Sequence, residues 1–93
     1  MTSYLVSYDL MKEASSKDYQ PLWNEFKRLG GFKTQYSVWL VAVNNTAEEL
    51  HDHLKKFVDE NDRLLVLELV KNHHYSNAIG GTNKWIEGNP PAR

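Results

Sequence analysis

The chain has 93 residues, 25% charged and 41% hydrophobic, with a net charge of -1 and no cysteine. That is enough for one globular domain and too little for two. The composition excludes a disordered chain, and the lack of cysteine excludes a disulfide framework or a thiolate zinc site. Nothing in the overall charge advertises nucleic acid.

The first element is a strand, "YLVSYDL", residues 4 to 10. Tyr4, Val6 and Tyr8 share one face, and Leu5, Ser7 and Asp9 the other. "MKEASSK" reads as a loop. Asp18 is placed to cap a helix through "YQPLWNEFKRL", with Pro21 in a first turn that does not need its N–H. Leu22, Phe26 and Leu29 form its apolar face, and Trp23 borders it. Gly30 and Gly31 end it through a left-handed cap. "FKTQYSVWLVAV", residues 32 to 43, is long for one strand and splits near Gln35–Tyr36, although no Asn-Gly or Gly-Gly marks a turn there.

In "NNTAEELHDHLKKFV", Thr46 and Glu49 have capping-box spacing, and Leu50, Leu54, Phe57 and Val58 form the buried stripe. The sequon Asn44-Asn45-Thr46 reads as a turn. "DEND" stops this helix before a final strand, "RLLVLELV", residues 63 to 70. That strand carries Leu65, Leu67 and Leu69 on one side and Leu64, Val66, Glu68 and Val70 on the other.

The order strand, helix, strand, strand, helix, strand predicts an α+β fold of the ferredoxin-like β-α-β-β-α-β type. Its antiparallel sheet has order 4-1-3-2, with both helices on one face. The domain is expected over residues 1–70, with residues 71–93 as a C-terminal extension. Tyr75, Ile79, Trp85 and Ile86 are too apolar for a solvated tail, so the extension is expected to dock on its own domain or on a partner protomer. Leu5, Leu64, Val66 and Val70 are assigned to the face the helices leave bare, and a two-fold homodimer through that face would cover them. The N-terminus lacks a signal-peptide pattern and no apolar run is long enough for a membrane span, so no membrane is expected and the cytoplasm is the expected compartment.

Asp9 ends the first strand on the open face. It either opens a turn and accepts local N–H groups or, with a second copy across a dimer axis, holds a hard divalent cation such as Mg²⁺. Antiparallel pairing of the outer strands sets Asp9 beside Arg63 and Glu68 beside Tyr4. Glu68 is then too distant to share a metal with Asp9 and reads as an edge or interface charge. His51 and His53 point apart on their helix, His73 and His74 lie in the tail, and all four read as solvated. No hydrolase triad or phosphate-binding glycine loop is present. Lys12, Lys27, Arg28 and Lys33 give residues 12 to 33 a local positive excess that either tracks a phosphate backbone or is an ordinary solvated face.

Tyr8-Asp9 closing the first strand, with Gln35-Tyr36-Ser37-Val38-Trp39 after the helix, resembles the small CRISPR-associated endoribonuclease family, over residues 3 to 70. Virulence-associated protein D toxins share that fold. The resemblance implies a role in antiviral defence, a homodimer joined through open sheet faces, and Asp9 as a ligand for Mg²⁺ or Mn²⁺ near the two-fold. It also implies a C-terminal segment within residues 71 to 86 that extends the partner's sheet. The implied activity is metal-dependent endonuclease cleavage of RNA or DNA, with Asp9 catalytic. The implied partner is an integrase, beside which the protein serves as a bridge. The net charge of -1 and the long tail depart from the family. The competing reading is a non-catalytic dimeric module that binds protein or nucleic acid.

Overall fold

A computed structural model describes residues 1–11 and 16–93, with the side chains of residues 16–18 left out. The elements are β1 (Thr2–Asp9), α1 (Ser16–Arg28), β2 (Phe32–Gln35), β3 (Val38–Val43), α2 (Ala47–Lys55), β4 (Arg63–Glu68) and α3 (Thr82–Gly88). The four strands form one antiparallel sheet in the order β2-β3-β1-β4, the ferredoxin-like arrangement.

Alternation along β1 builds the core. Tyr4, Val6 and Tyr8 are buried with Trp39 and Val41 of β3, and against them lie Leu22 and Phe26 of α1 and Leu50 and Leu54 of α2. Both helices therefore cover the same face. Phe26 stacks on Trp39 with ring centroids 4.8 Å apart, an offset contact that adds to simple area burial.

The ends of the helices follow from local chemistry. The Gly31 N–H bonds to Phe26 O at 2.8 Å and the Gly30 N–H to Lys27 O at 3.0 Å, a Schellman stop on α1. It needs Gly30 at φ 73, where a side chain is strained. A Cβ on Gly31 would lie 2.8 Å from Phe26 O. The capping box of α2 forms in both directions between Thr46 and Glu49. At its other end α1 begins at Ser16, before Asp18, so Asp18 is not the residue that precedes the helix. Pro21 then lies inside α1 rather than in its first turn, where its missing N–H removes one helical bond.

The hairpin between β2 and β3 turns at Tyr36 and Ser37, as the split near Gln35–Tyr36 requires. A register shift between Lys33 and Gln35 marks a bulge in β2. A bulge tightens the local twist and lets the chain reverse without a glycine turn.

The face assignment of β4 needs correction. Val66 pairs with Val6 and Leu64 with Tyr8, and paired residues share a face. Leu64 and Val66 therefore pack on the core beneath the helices. Val70 follows β4 with their parity and is half-buried. Glu68 pairs with Tyr4, so it too lies on the face opposite Asp9. The open face carries Leu5, Leu65 and Leu67 instead.

The tail crosses one end of that open face. Thr34 Oγ1 and Thr82 Oγ1 share a buried hydrogen bond of 2.8 Å, and the Ile79 N–H bonds to Thr34 O at 2.9 Å. The Trp85 indole donates to Gly30 O at 3.0 Å, and Ser3 Oγ donates to Asn89 O at 2.7 Å. Beside these contacts Leu40 and Leu69 are 2% and 8% exposed, whereas Leu65 and Leu67 further along are 57% and 43%. One end of the face is covered and the end towards Asp9 is bare.

Candidate functional site

Asp9 is the last residue of β1 and points out on the bare end of the sheet. The register sets it opposite Arg63, and Arg63 Nη1 lies 3.5 Å from Asp9 Oδ2 with both side chains about two-thirds exposed or more, 72% and 66%. A pair this open to water holds neither partner firmly. Its carboxylate therefore remains available to a ligand. A cleft of about 510 Å³ opens beside it, lined among others by Tyr8, Asp9, Trp23, Tyr36, Ser37 and Arg63.

The walls of this cleft are braced from the core. Tyr8 follows the alternation inward, and its hydroxyl accepts from Trp23 Nε1 at 3.2 Å and from Trp39 Nε1 at 3.3 Å. It donates in turn to Tyr36 O at 3.4 Å, and the Tyr8 N–H bonds to Ser37 O at 3.1 Å. The hairpin tip is thus fastened to the residue next to Asp9. On the other side, Asp62 Oδ1 accepts the Met11 N–H at 2.7 Å and the Tyr19 hydroxyl at 3.2 Å. Asp62 Oδ2 accepts the Asp59 N–H at 2.8 Å. One aspartate fixes the exit of β1, the loop before β4 and α1 together. In the sequence Asp62 reads only as part of the "DEND" helix stop, because its partners Met11 and Tyr19 are far from it along the chain.

Among the described residues, Arg28 lies away from Asp9. Lys12 lies outside the described residues. Arg28 lines a separate cleft with Val43, and Val43 pairs with Thr2 at the far end of β1. The Arg28 fork is also closed: Nε and Nη2 each donate to the Glu25 carboxylate at 2.6 Å. Lys27 is exposed beside it, and Lys33 places its ammonium 5.7 Å from the Tyr36 ring centroid.

Glu25 is the functional-type residue that the sequence hid. It is 7% exposed, and besides Arg28 it receives His53 Nε2 at 2.5 Å. An ionised carboxylate only accepts, so the imidazole nitrogen donates. The hydrogen bonds from Arg28, opposed by burial and aided by His53, pull the Glu25 carboxyl from 4.5 to about 2. This corrects the reading of His53 as solvated, because it joins α2 to α1. The i,i+3 spacing of Glu25 and Arg28 was a local signal; His53 is brought in only by helix packing.

For a hard cation the donor set of one protomer is insufficient. Among the described residues no three His, Asp or Glu side chains converge. Asp9 offers a single carboxylate with a guanidinium as neighbour, where a divalent ion prefers carboxylates and waters. Further carboxylates for such an ion would have to come from another molecule. Among the described residues no helix is long and apolar enough to cross a membrane. Residues 1–77 match the family model described as CRISPR associated protein Cas2.

Proposed function

The chain belongs to the CRISPR-associated protein Cas2 family, and from that premise we propose that it works as a homodimer whose two Asp9 carboxylates hold a divalent cation and cut phosphodiester bonds. The observation that carries this reading is the position of Asp9: exposed at the end of β1, beside a braced cleft, on the end of the open face that the tail leaves bare.

Leu5, Leu65 and Leu67 are the apolar residues available for the contact between copies, in place of Leu64 and Val66. Two like charges facing across a two-fold repel until a cation or proton is shared. Mg²⁺ or Mn²⁺ there would neutralise phosphate charge and make a bound water more acidic. The chain's own residues do the rest. Asp9 holds its end of the site, the Tyr8 and Asp62 bonds keep the strand end from shifting, and Arg63 offers a guanidinium to a phosphate oxygen. RNA and DNA both present the required phosphodiester. An integrase-type partner, with the protein as a bridge, is the corresponding assembly.

The test is cleavage of labelled RNA and DNA by purified protein with Mg²⁺ or Mn²⁺. Wild type is expected to cleave, EDTA to stop it, and Asp9→Asn to abolish it while leaving the circular dichroism melt unchanged. The second reading is a dimeric module that binds protein or nucleic acid without catalysis; the net charge of -1 and the engagement of Arg28 with Glu25 favour it with protein as the ligand. Binding of a protein or a nucleic acid with no metal-dependent cleavage would select it.

A further inference from the structure

Tyr36 sits at the tip of the β2–β3 hairpin and is 88% exposed. Nothing in the turn requires an aromatic there, since tight turns favour Gly, Asn, Asp or Ser. Its ring makes no core contact; Lys33 approaches at 5.7 Å. The backbone beneath it is nevertheless held, because Tyr36 O and Ser37 O both accept from Tyr8. A large exposed ring on a fixed backbone loses little freedom when a flat ligand stacks on it.

Tyr36 also lines two clefts at once. One is the Asp9 cleft. The other, of about 390 Å³, lies between β2 and the tail and is walled by Thr34, Gln35, Ser76, Asn77 and Ile79 as well as Tyr36. Its polar side chains can give and accept hydrogen bonds at the edge of a base, and no charge in it repels a phosphate. Both volumes lie in the range that accommodates a nucleotide-sized ligand.

We propose that Tyr36 is a base-stacking platform for single-stranded nucleic acid, with one nucleotide seated between the Gln35–Asn77 cleft and the ring, Lys33 on its phosphate, and the next phosphate led towards Asp9. The inference rests on the nucleic-acid reading of the Asp9 site and names the residue that would hold the strand beside it. A duplex keeps its bases stacked on each other and has no free face for the ring, whereas a single strand does. Stacking accepts any base, so little sequence preference is expected.

The experiment measures fluorescence anisotropy of labelled single strands, oligo(U) and oligo(dT), and of a duplex of equal length, in EDTA so that no cleavage occurs. Wild type is expected to bind the single strands more tightly than the duplex. Tyr36→Ala is expected to weaken single-strand binding about tenfold and Tyr36→Phe to leave it unchanged, with melts equal to wild type because the ring is exposed. Wild-type binding that Tyr36→Ala leaves intact, or equal binding of duplex and single strand, overturns the platform and leaves the Asp9 reading standing. If wild type binds none of the probes, and cleaves none with metal, the reading it rests on falls and takes the platform with it.

Discussion

At the scale of single residues, burial separates two carboxylates that the sequence does not distinguish. Asp9 is open to water and leans loosely on Arg63. Glu25 is enclosed and takes donors from Arg28 and His53. Its carboxyl is held at about 2 instead of 4.5. A depressed folded value means the stabilising charge is present above the unfolded value and lost as pH falls through the folded one. Thermal stability is therefore expected to decline between pH 4.5 and about 2 with a component from Glu25. In Glu25→Gln, calorimetric melts should show a lower Tm at pH 7 and a shallower acid decline. An acid limb identical to wild type would show that Glu25 does not contribute. The Asp9–Arg63 pairing was legible, because antiparallel register fixes it. The Glu25–His53 bond was not, since nothing local reports how α1 meets α2.

At the scale of elements, capping chemistry was readable and faces were only partly so. Thr46 with Glu49, and Gly30 with Gly31, act through neighbours in sequence, and both appear as the spacing requires. Gly30→Ala forces a side chain to φ 73 and is expected to cost about 1–2 kcal/mol, read as a lower midpoint in urea with an unchanged slope; an unchanged midpoint would mean that α1 stops by other means. β4 shows the limit of pattern reading. Its two faces are nearly equally apolar, Leu64 and Val66 against Leu65, Leu67 and Leu69, so composition does not choose between them. Register does, and the pairing of Glu68 with Tyr4 already implied that the even-numbered residues face the helices. α3 has seven residues, too few for an apolar period to show.

At the scale of the whole molecule, the tail decides which part of the open sheet remains available. Thr82, Trp85 and Asn89 tie it across Thr34, Gly30 and Ser3, and the Lys71 N–H bonds to Arg93 O. Leu40 and Leu69 lie under that cover, while Leu5, Leu65 and Leu67 lie beyond it with Asp9. Ending the chain at Val70 strips the cover from buried apolar side chains, and differential scanning calorimetry should record a lower Tm; an equal Tm would show that the contacts add no stability. Of the apolar residues that predict docking, Trp85 and Ile86 are half-buried but Tyr75 and Ile79 stay exposed, at 37% and 40%; the hydrogen bonds that place the tail join residues far apart in sequence, and no local pattern marks them.

The claim on which the functional account depends is that two copies of Asp9 share one cation. Titration of the purified protein with Mn²⁺, followed by the electron paramagnetic resonance signal of the free ion, counts bound ions per chain. One ion for every two chains, lost in Asp9→Asn, is the predicted result. One ion per chain, or equal binding by wild type and Asp9→Asn, would contradict it.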